Sequence, residues 1–288
     1  MNKGLLLATT AYLIWGFAAL YWVQADPVGA ADLVAHRALW SLPFVALCLL
    51  WVGHLRAALS HLANPRTMLI VCCAAALQAI NWGVFLWAVT NERATEASLG
   101  YFLLPLINVV IGIVLFKESI GRAQQIAIAF AAIGMLLLIV ENRGLPWVAL
   151  GVAVSFGIYG AVRKAVALEA VEGLFLETLV MAPFALVWII LERGAGLGRY
   201  GLKVDLILIG AGVMTAVPLM CYVAASRLTA LSALGLVFYI GPSTQLLVAI
   251  CIFGEPMNPV QLASFALVWL GLGFVAADTL RRLRSVRG

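Results

Sequence analysis

Charge is what this sequence has least of. Lysine and arginine together number 18 and aspartate and glutamate 13, so that 11% of the 288 residues are charged. A soluble domain carries about a quarter, and an ordinary water-facing surface is therefore excluded. Histidine is nearly absent: of three, His54 and His61 fall in one short connection. HExxH, GxSxG and paired aspartates within an apolar stretch are all missing, which leaves an intramembrane enzyme without its chemistry. The five cysteines (Cys48, Cys72, Cys73, Cys221, Cys251) lie in apolar stretches, with no CxxC and no partner in a loop. A disulfide scaffold is excluded, and buried free thiols are expected. No filter-like segment or ring of like charges suggests a channel. No catalytic group, metal or cofactor is expected. The net charge of +5 is scattered over short connections, so it is not a nucleic-acid footprint.

Apolar residues make up 64% of the chain, and the mean hydropathy is +1.07. A membrane crossing needs about 20 such residues. Ten candidates follow one another: Gly4–Val23, Leu33–Val52, Thr67–Val89, Ala97–Phe116, Gln124–Val140, Trp147–Val162, Leu174–Leu191, Val204–Ala224, Leu231–Phe253 and Val260–Ala277. The sixth is the shortest. The first is too long and too rich in Tyr and Trp for a signal peptide, and is read as a retained helix. Lys3, the Arg163–Lys164 pair and the Arg281, Arg282, Arg284 and Arg287 tail then place both termini in the cytoplasm. Arg193, Arg199 and Lys203 argue the other way, but basic residues fall twelve inside against five outside.

The second half repeats the first with a shift of 137 residues: Pro242 answers to Pro105, Gln245 to Asn108, Phe253 to Phe116, Glu255 to Glu118 and Gly271 to Gly134. Upstream, Tyr222 answers to Phe85 and Thr215 to Gln78. Five crossings per half is an odd number, so the second half must enter from the opposite side. The expectation is an all-α membrane protein with ten transmembrane helices in two inverted five-helix repeats, 1–143 and 144–288. That is the architecture of many secondary transporters.

Helical spacing puts Ser98, Tyr101, Pro105, Asn108 and Gly112 on one stripe, with Gly235, Phe238, Pro242, Gln245 and Ala249 on its counterpart. Each stripe joins small residues, a midspan amide and a proline that removes a backbone hydrogen bond. In a bilayer such a break is tolerated only beside protein or water. Gln78, Asn81 and Phe85 match Thr215, Pro218 and Tyr222 in the same way. Each polar residue alone is interhelical glue as readily as site; as a set they are expected to line a shared cavity, with Pro105 and Pro242 as gating positions.

Two charges stand inside the apolar stretches. Arg37 either snorkels outward to Asp32 or Glu96 or receives a substrate carboxylate. Glu177 either pairs with Arg163 or Lys164 or forms a gate. No carboxylate sits at the centre of a span, so facilitated or weakly coupled transport is expected. Trp22, Trp51, Trp147 and Trp188 fit an interfacial belt. Trp15, Trp40, Trp82 and Trp87, with Tyr12, Tyr101, Tyr159 and Tyr239, are expected deeper, as cavity walls suited to amphipathic organic solutes.

The strings AYLIWG (Ala11–Gly16), HRALWS (His36–Ser41), NWGVFLWAV (Asn81–Val89), EASLGYFLLPLIN (Glu96–Asn108), SFGIYGAVRK (Ser155–Lys164), ETLVMAP (Glu177–Pro183) and YIGPS (Tyr239–Ser243) run through most of the chain. In this order they resemble the drug/metabolite transporter superfamily, in particular its EamA-type, RarD-like members. The resemblance implies ten helices, cytoplasmic termini in the bacterial inner membrane and a central pathway between EamA-type repeats. Its relatives include exporters of amino acids and a group historically labelled chloramphenicol-related permeases. The expected partners are a small-molecule substrate and membrane lipids, with a monomer as the working expectation. Export of amino acids or similar zwitterions is the leading function, and efflux of amphipathic drugs the alternative.

Overall fold

Water cannot satisfy a backbone N–H or C=O inside a bilayer, so each crossing segment must pair its own groups, and a helix does this within one segment. A computed structural model describes residues 3–117, 121–141, 144–164, 166–192, 196–228, 234 and 237–285, and their regular structure is entirely helical. The elements are α1 (Lys3–Gly16), α2 (Ala18–Trp22), α3 (Ala30–Val52), α4 (Leu55–Ser60), α5 (Pro65–Thr90), α6 (Ala94–Phe116), α7 (Arg122–Glu141), α8 (Trp147–Lys164), α9 (Ala170–Leu191), α10 (Leu202–Leu228), α11 (Ile240–Leu247) and α12 (Pro259–Ser285). A π-helical turn, Val248–Ile252, continues α11. Glu118, Leu231 and Gly235 of the expected repeat lie outside the described residues.

The helices begin before their apolar runs do, because polar residues supply the missing caps. Asn64 accepts from the N–H groups of Arg66 and Thr67, each at 3.1 Å, with Pro65 in the first turn. Glu169 and Glu172 form a reciprocal capping box, which starts α9 at Ala170 rather than at Leu174.

Among the described residues, six helices are long and apolar enough to cross a membrane, or eight when each of two bent pairs counts as one. One bend of 42° separates Lys3–Gly16 from Ala18–Ala25, and one of 45° separates Ala94–Leu104 from Leu106–Val114. The second falls at Pro105, as loss of a helix hydrogen bond requires. At the first, Gly16 lies against Thr244 and the Gly241 carbonyl, where a Cβ has no room. Of the ten expected spans, the sixth (α8) and the ninth (Ile240–Ile252, described only in part) fall outside that count.

The helices pack in a definite pattern. α7 lies along α12, α3 between α9 and α10, and α8 between α5 and α6; α1 packs on α10 and α11, and α6 meets α11. Small residues set the close crossings: Gly100 sits on the Ala149 carbonyl and Val152, and Gly212 on the Trp40 carbonyl and Phe44. The ends of the helices form two groups. One end holds the Tyr21 hydroxyl donating to the Ile207 carbonyl, Trp188 Nε1 donating to Asp32 at 2.8 Å, and Trp87 against Trp147. The other holds His54 and His61 around Glu172.

Within the six long helices, 22–44% of the apolar window is buried by the rest of the chain. Each therefore keeps a partly or fully exposed face. This corrects the cysteine expectation: Cys72, Cys73 and Cys251 are exposed and Cys48 and Cys221 half-buried, because an apolar stretch in a membrane protein has a lipid face as well as a core face. Trp22 is a second correction. It is 2% exposed and packed in a core with Leu33, Phe85 and Leu208, whereas Trp51, at 83%, is fully outward.

Candidate functional site

α3 carries Arg37 into the bundle two turns from its start, on the face that meets α10. Gly212 allows that approach, and it brings Thr215 within reach: Arg37 Nε donates to Thr215 Oγ1 at 3.2 Å. Thr215 in turn donates to the Ala211 carbonyl at 3.0 Å, which holds its lone pairs toward the guanidinium. The Arg37 guanidinium lies 4.0 Å from the ring centroid of Trp82 and 5.4 Å from that of Trp22. Such cation–π contacts contribute about 0.5–2 kcal/mol, more when water is excluded. Neither expected carboxylate reaches Arg37. Asp32 accepts from Trp188, and Glu96 accepts from Arg93 at 2.6 Å. Both carboxylates stay at the helix ends, where hydration and local partners hold them. Among the described residues, no acceptor faces the two terminal nitrogens of Arg37.

Beside this group stands a closed polar relay. Asn81, 1% exposed, donates from Nδ2 to the Val152 carbonyl at 3.0 Å and to Ser155 Oγ at 3.1 Å, and accepts from Tyr101 at 3.3 Å. Tyr101 and Arg37 are electrostatic neighbours. One amide thus joins α5, α6 and α8. Trp40 turns to His36, its Nε1 donating to Nδ1 at 3.3 Å. Gln78, one turn before Trp82, is buried, and its Oε1 has no donor.

The remaining aromatics gather elsewhere. Tyr12, Trp15, Tyr222 and Phe238 pack with centroids 5.5–6.3 Å apart, and Tyr239 stacks on Phe102. These spacings are those of rings in mutual contact. Gln245 donates to the Trp15 carbonyl at 3.3 Å, and its Oε1 is buried without a donor. The two proline-bearing stripes do meet, because Ser98 Oγ donates to the Pro242 carbonyl at 2.8 Å. Asn108, the counterpart of Gln245, is by contrast exposed beside Gly157. Pro105 marks the bend of α6. Glu255, which closes the π-helical turn, accepts from the N–H groups of Ala94 and Thr95 at 2.7 and 2.8 Å, tying the end of α11 to the start of α6.

Tyr159 and Glu177 form a third group, away from Arg37. Glu177 is paired with Arg163, one of its two expected partners, at 3.5 Å, and accepts from the Tyr159 hydroxyl at 3.1 Å. A pocket of about 270 Å³ between α3, α9 and α10 is lined by Cys48, His54, Glu172 and Met220 among others, and by none of the residues expected to bind substrate. Two residues here have a place that the sequence does not show: Trp22, expected in an interfacial belt, and Ser155. Trp22 was hidden by its place at the end of an apolar run. Ser155 carried one usable signal, being the only hydroxyl between Trp147 and Tyr159.

A family model described as the EamA-like transporter family matches residues 2–140. An uncharacterized transporter of Pseudomonas aeruginosa is 36% identical over 99% of this chain and 97% of its own. The protein RarD of Salmonella typhi is 36% identical over 99% of this chain and 98% of its own. One solved protein structure superposes with a TM-score of 0.64 at 19% identity, covering 97% of this chain and 99% of that one, which establishes a common fold and no more. The chain belongs to the EamA-like transporter family of the drug/metabolite transporter superfamily. It is a multi-pass membrane transporter of the RarD type.

Proposed function

We propose that this transporter exports amino acids or similar small zwitterions across the bacterial inner membrane, by alternating access between two inverted five-helix repeats, 1–143 and 144–288, with both termini cytoplasmic. The observation that carries the substrate class is Arg37. It is a guanidinium within the helical bundle, held by Thr215, Trp82 and Trp22, with no carboxylate among the described residues on its terminal nitrogens. A carboxylate in a low-dielectric passage needs such a partner, and guanidinium binds it in two-pronged fashion. The helix pairings support the repeat. α1 on α10 is mirrored by α8 on α5, and α1 on α11 by α8 on α6, while α3 with α9, α6 with α11 and α7 with α12 pair each helix with its own counterpart.

Uptake of labelled amino acids and of their amides into proteoliposomes tests this reading. Arg37→Gln is expected to weaken amino-acid transport more than amide transport. Equal loss of both assigns Arg37 to the fold. Flux of chloramphenicol-type compounds with no amino-acid flux would replace the proposal by drug efflux.

A further inference from the structure

The sequence offered no coupling group, because Glu177 stood only one turn inside an apolar run that began at Leu174. The capping box moves that start to Ala170. Glu177 then lies seven residues into α9, about 10 Å along it at about 1.5 Å per residue, and is 0% exposed. We propose that Glu177 is a proton-binding site, which Arg163 and Tyr159 face and which the transporter uses to couple solute movement to a proton gradient. The coupling rests on the transport function proposed above; the proton site itself does not.

Three features of the geometry support it. The first is isolation. Arg163 and Tyr159, both from α8, are the charged and titratable groups that face Glu177. The Arg227 side chain of α10 lies outside the described residues; among those described, the other helices packed on α9 have theirs engaged or turned away. On α3, Asp32 is bound to Trp188, His36 and Arg37 belong to the tryptophan cluster, and Cys48 contacts Met220. On α5, Arg66, Cys72 and Cys73 are exposed. On α4 and the turn after it, Arg56 is exposed and His54 and His61 surround Glu172. On α10, Asp205 caps Gly198 and Tyr222 packs on Tyr12, while Lys203 is exposed and Cys221 half-buried. Protonation of Glu177 therefore breaks one ion pair and leaves the other polar groups around α9 with their partners.

The second feature is the seat of Arg163. Its guanidinium lies where any side chain at Gly173 would stand, so glycine at 173 is what admits it. One terminal nitrogen donates to the Glu169 carbonyl at 3.3 Å, and the other is buried with no acceptor. With Glu177 ionised, Arg163 has its counter-ion. With Glu177 protonated, the guanidinium loses its counter-ion and faces neutral acceptors, the acid itself, the Tyr159 hydroxyl and the Glu169 carbonyl. The contact between α8 and α9 therefore changes with one proton, and α9 also packs on α3 and α5 of the first half. The step is balanced: the carboxylate and hydronium give the acid and water, and release on the other side is the reverse.

The third feature is access. Polar contacts run from the exposed end inward: His54 to Glu172 at 3.1 Å, Glu172 to the Glu169 N–H at 3.4 Å, the Glu169 carbonyl to Arg163, and Arg163 to Glu177. Beyond Glu177, Thr178 satisfies its hydroxyl on the carbonyls of Leu174 and Phe175, and α9 continues through Leu179, Val180 and Met181. The polar contacts that reach Glu177 thus come from the end where His54 lies.

Infrared difference spectra of the purified transporter between about pH 5 and about pH 9 read the site without any substrate. Subtracting Glu177→Gln from wild type is expected to leave one protonated-carboxyl band, which Tyr159→Phe displaces and Glu177→Asp restores at a shifted frequency. Superimposable wild-type and Glu177→Gln spectra overturn the proton site. Labelled phenylalanine in proteoliposomes reads the coupling: an imposed pH gradient raises wild-type flux, and in Glu177→Gln the ratio of driven to undriven flux falls to unity. A wild-type ratio of unity, or an unchanged ratio in Glu177→Gln, overturns the coupling. If the wild type moves no phenylalanine at all, the amino-acid reading fails while the infrared result still decides the proton site.

Discussion

Gly134 and Ser264 are in contact through their backbones: a Cβ at 134 would stand 3.2 Å from the Ser264 carbonyl, and Ser264 Oγ donates to the Gly134 carbonyl at 2.9 Å. The same crossing is repeated from the other side, where a Cβ at 271 would stand 3.0 Å from Ala127 Cα. The shift that relates Gly134 to Gly271 also relates Ala127 to Ser264. The obstructing atoms are backbone and cannot swing aside. Gly134→Leu is expected to destabilise the fold by about 1–3 kcal/mol through overpacking, with Gly134→Ala intermediate. Thermal unfolding in detergent measures it, and an unchanged midpoint for Gly134→Leu would remove this crossing from the account.

Asn81 and Asn108 looked alike in sequence but differ in surroundings. Asn81 is saturated by Val152, Ser155 and Tyr101, while Asn108 is exposed. In a cysteine-free background, a cysteine at 81 is expected to stay inert toward small water-soluble thiol reagents, while labelling at 108 reads whether its exposed face meets water or lipid. Rapid labelling at 81 would show that its neighbours do not exclude water.

Arg37 is held by a plane as well as by a charge. Lysine keeps the charge but has neither the Nε that reaches Thr215 nor a flat face for Trp82 and Trp22. Arg37→Lys is therefore expected to lower amino-acid flux by about tenfold, equivalent to about 1.4 kcal/mol. Full activity in initial-rate uptake would leave charge alone as the requirement.

Glu255 anchors two backbone donors at the start of α6, where the helix dipole also favours an anion. Glu255→Ala is expected to cost about 1–3 kcal/mol, because two buried N–H groups lose their acceptor. Glu255→Gln, which keeps one acceptor oxygen, should cost less. The order of unfolding midpoints checks this, and equal midpoints for both variants would mean that the anchor contributes nothing.

Topology has a direct test. Reporter fusions at Met1 and Gly288 should both report the cytoplasm, and an outward carboxyl terminus would overturn the even number of crossings.

The sequence by itself determined the helical class and the membrane setting, and it raised the expectation of an internal repeat. A bilayer permits few backbone solutions, and apolar length, basic loop residues and a fixed shift are all one-dimensional signals. It also offered Arg163 or Lys164 as a partner for Glu177, because the basic pair and the carboxylate flank a short connection, and packing chose Arg163. Whether an apolar or polar residue faces core or lipid was settled only by packing. Cys72 and Trp22 sit in equally apolar surroundings along the chain, yet one is exposed and the other buried. Arg37 had two acidic candidates nearby in sequence, but helix crossing gave it Thr215, 178 residues away, and two tryptophan faces. Such partners are chosen by which helix faces meet, and that depends on the approach allowed at glycines such as Gly212 and Gly16, which no local pattern encodes.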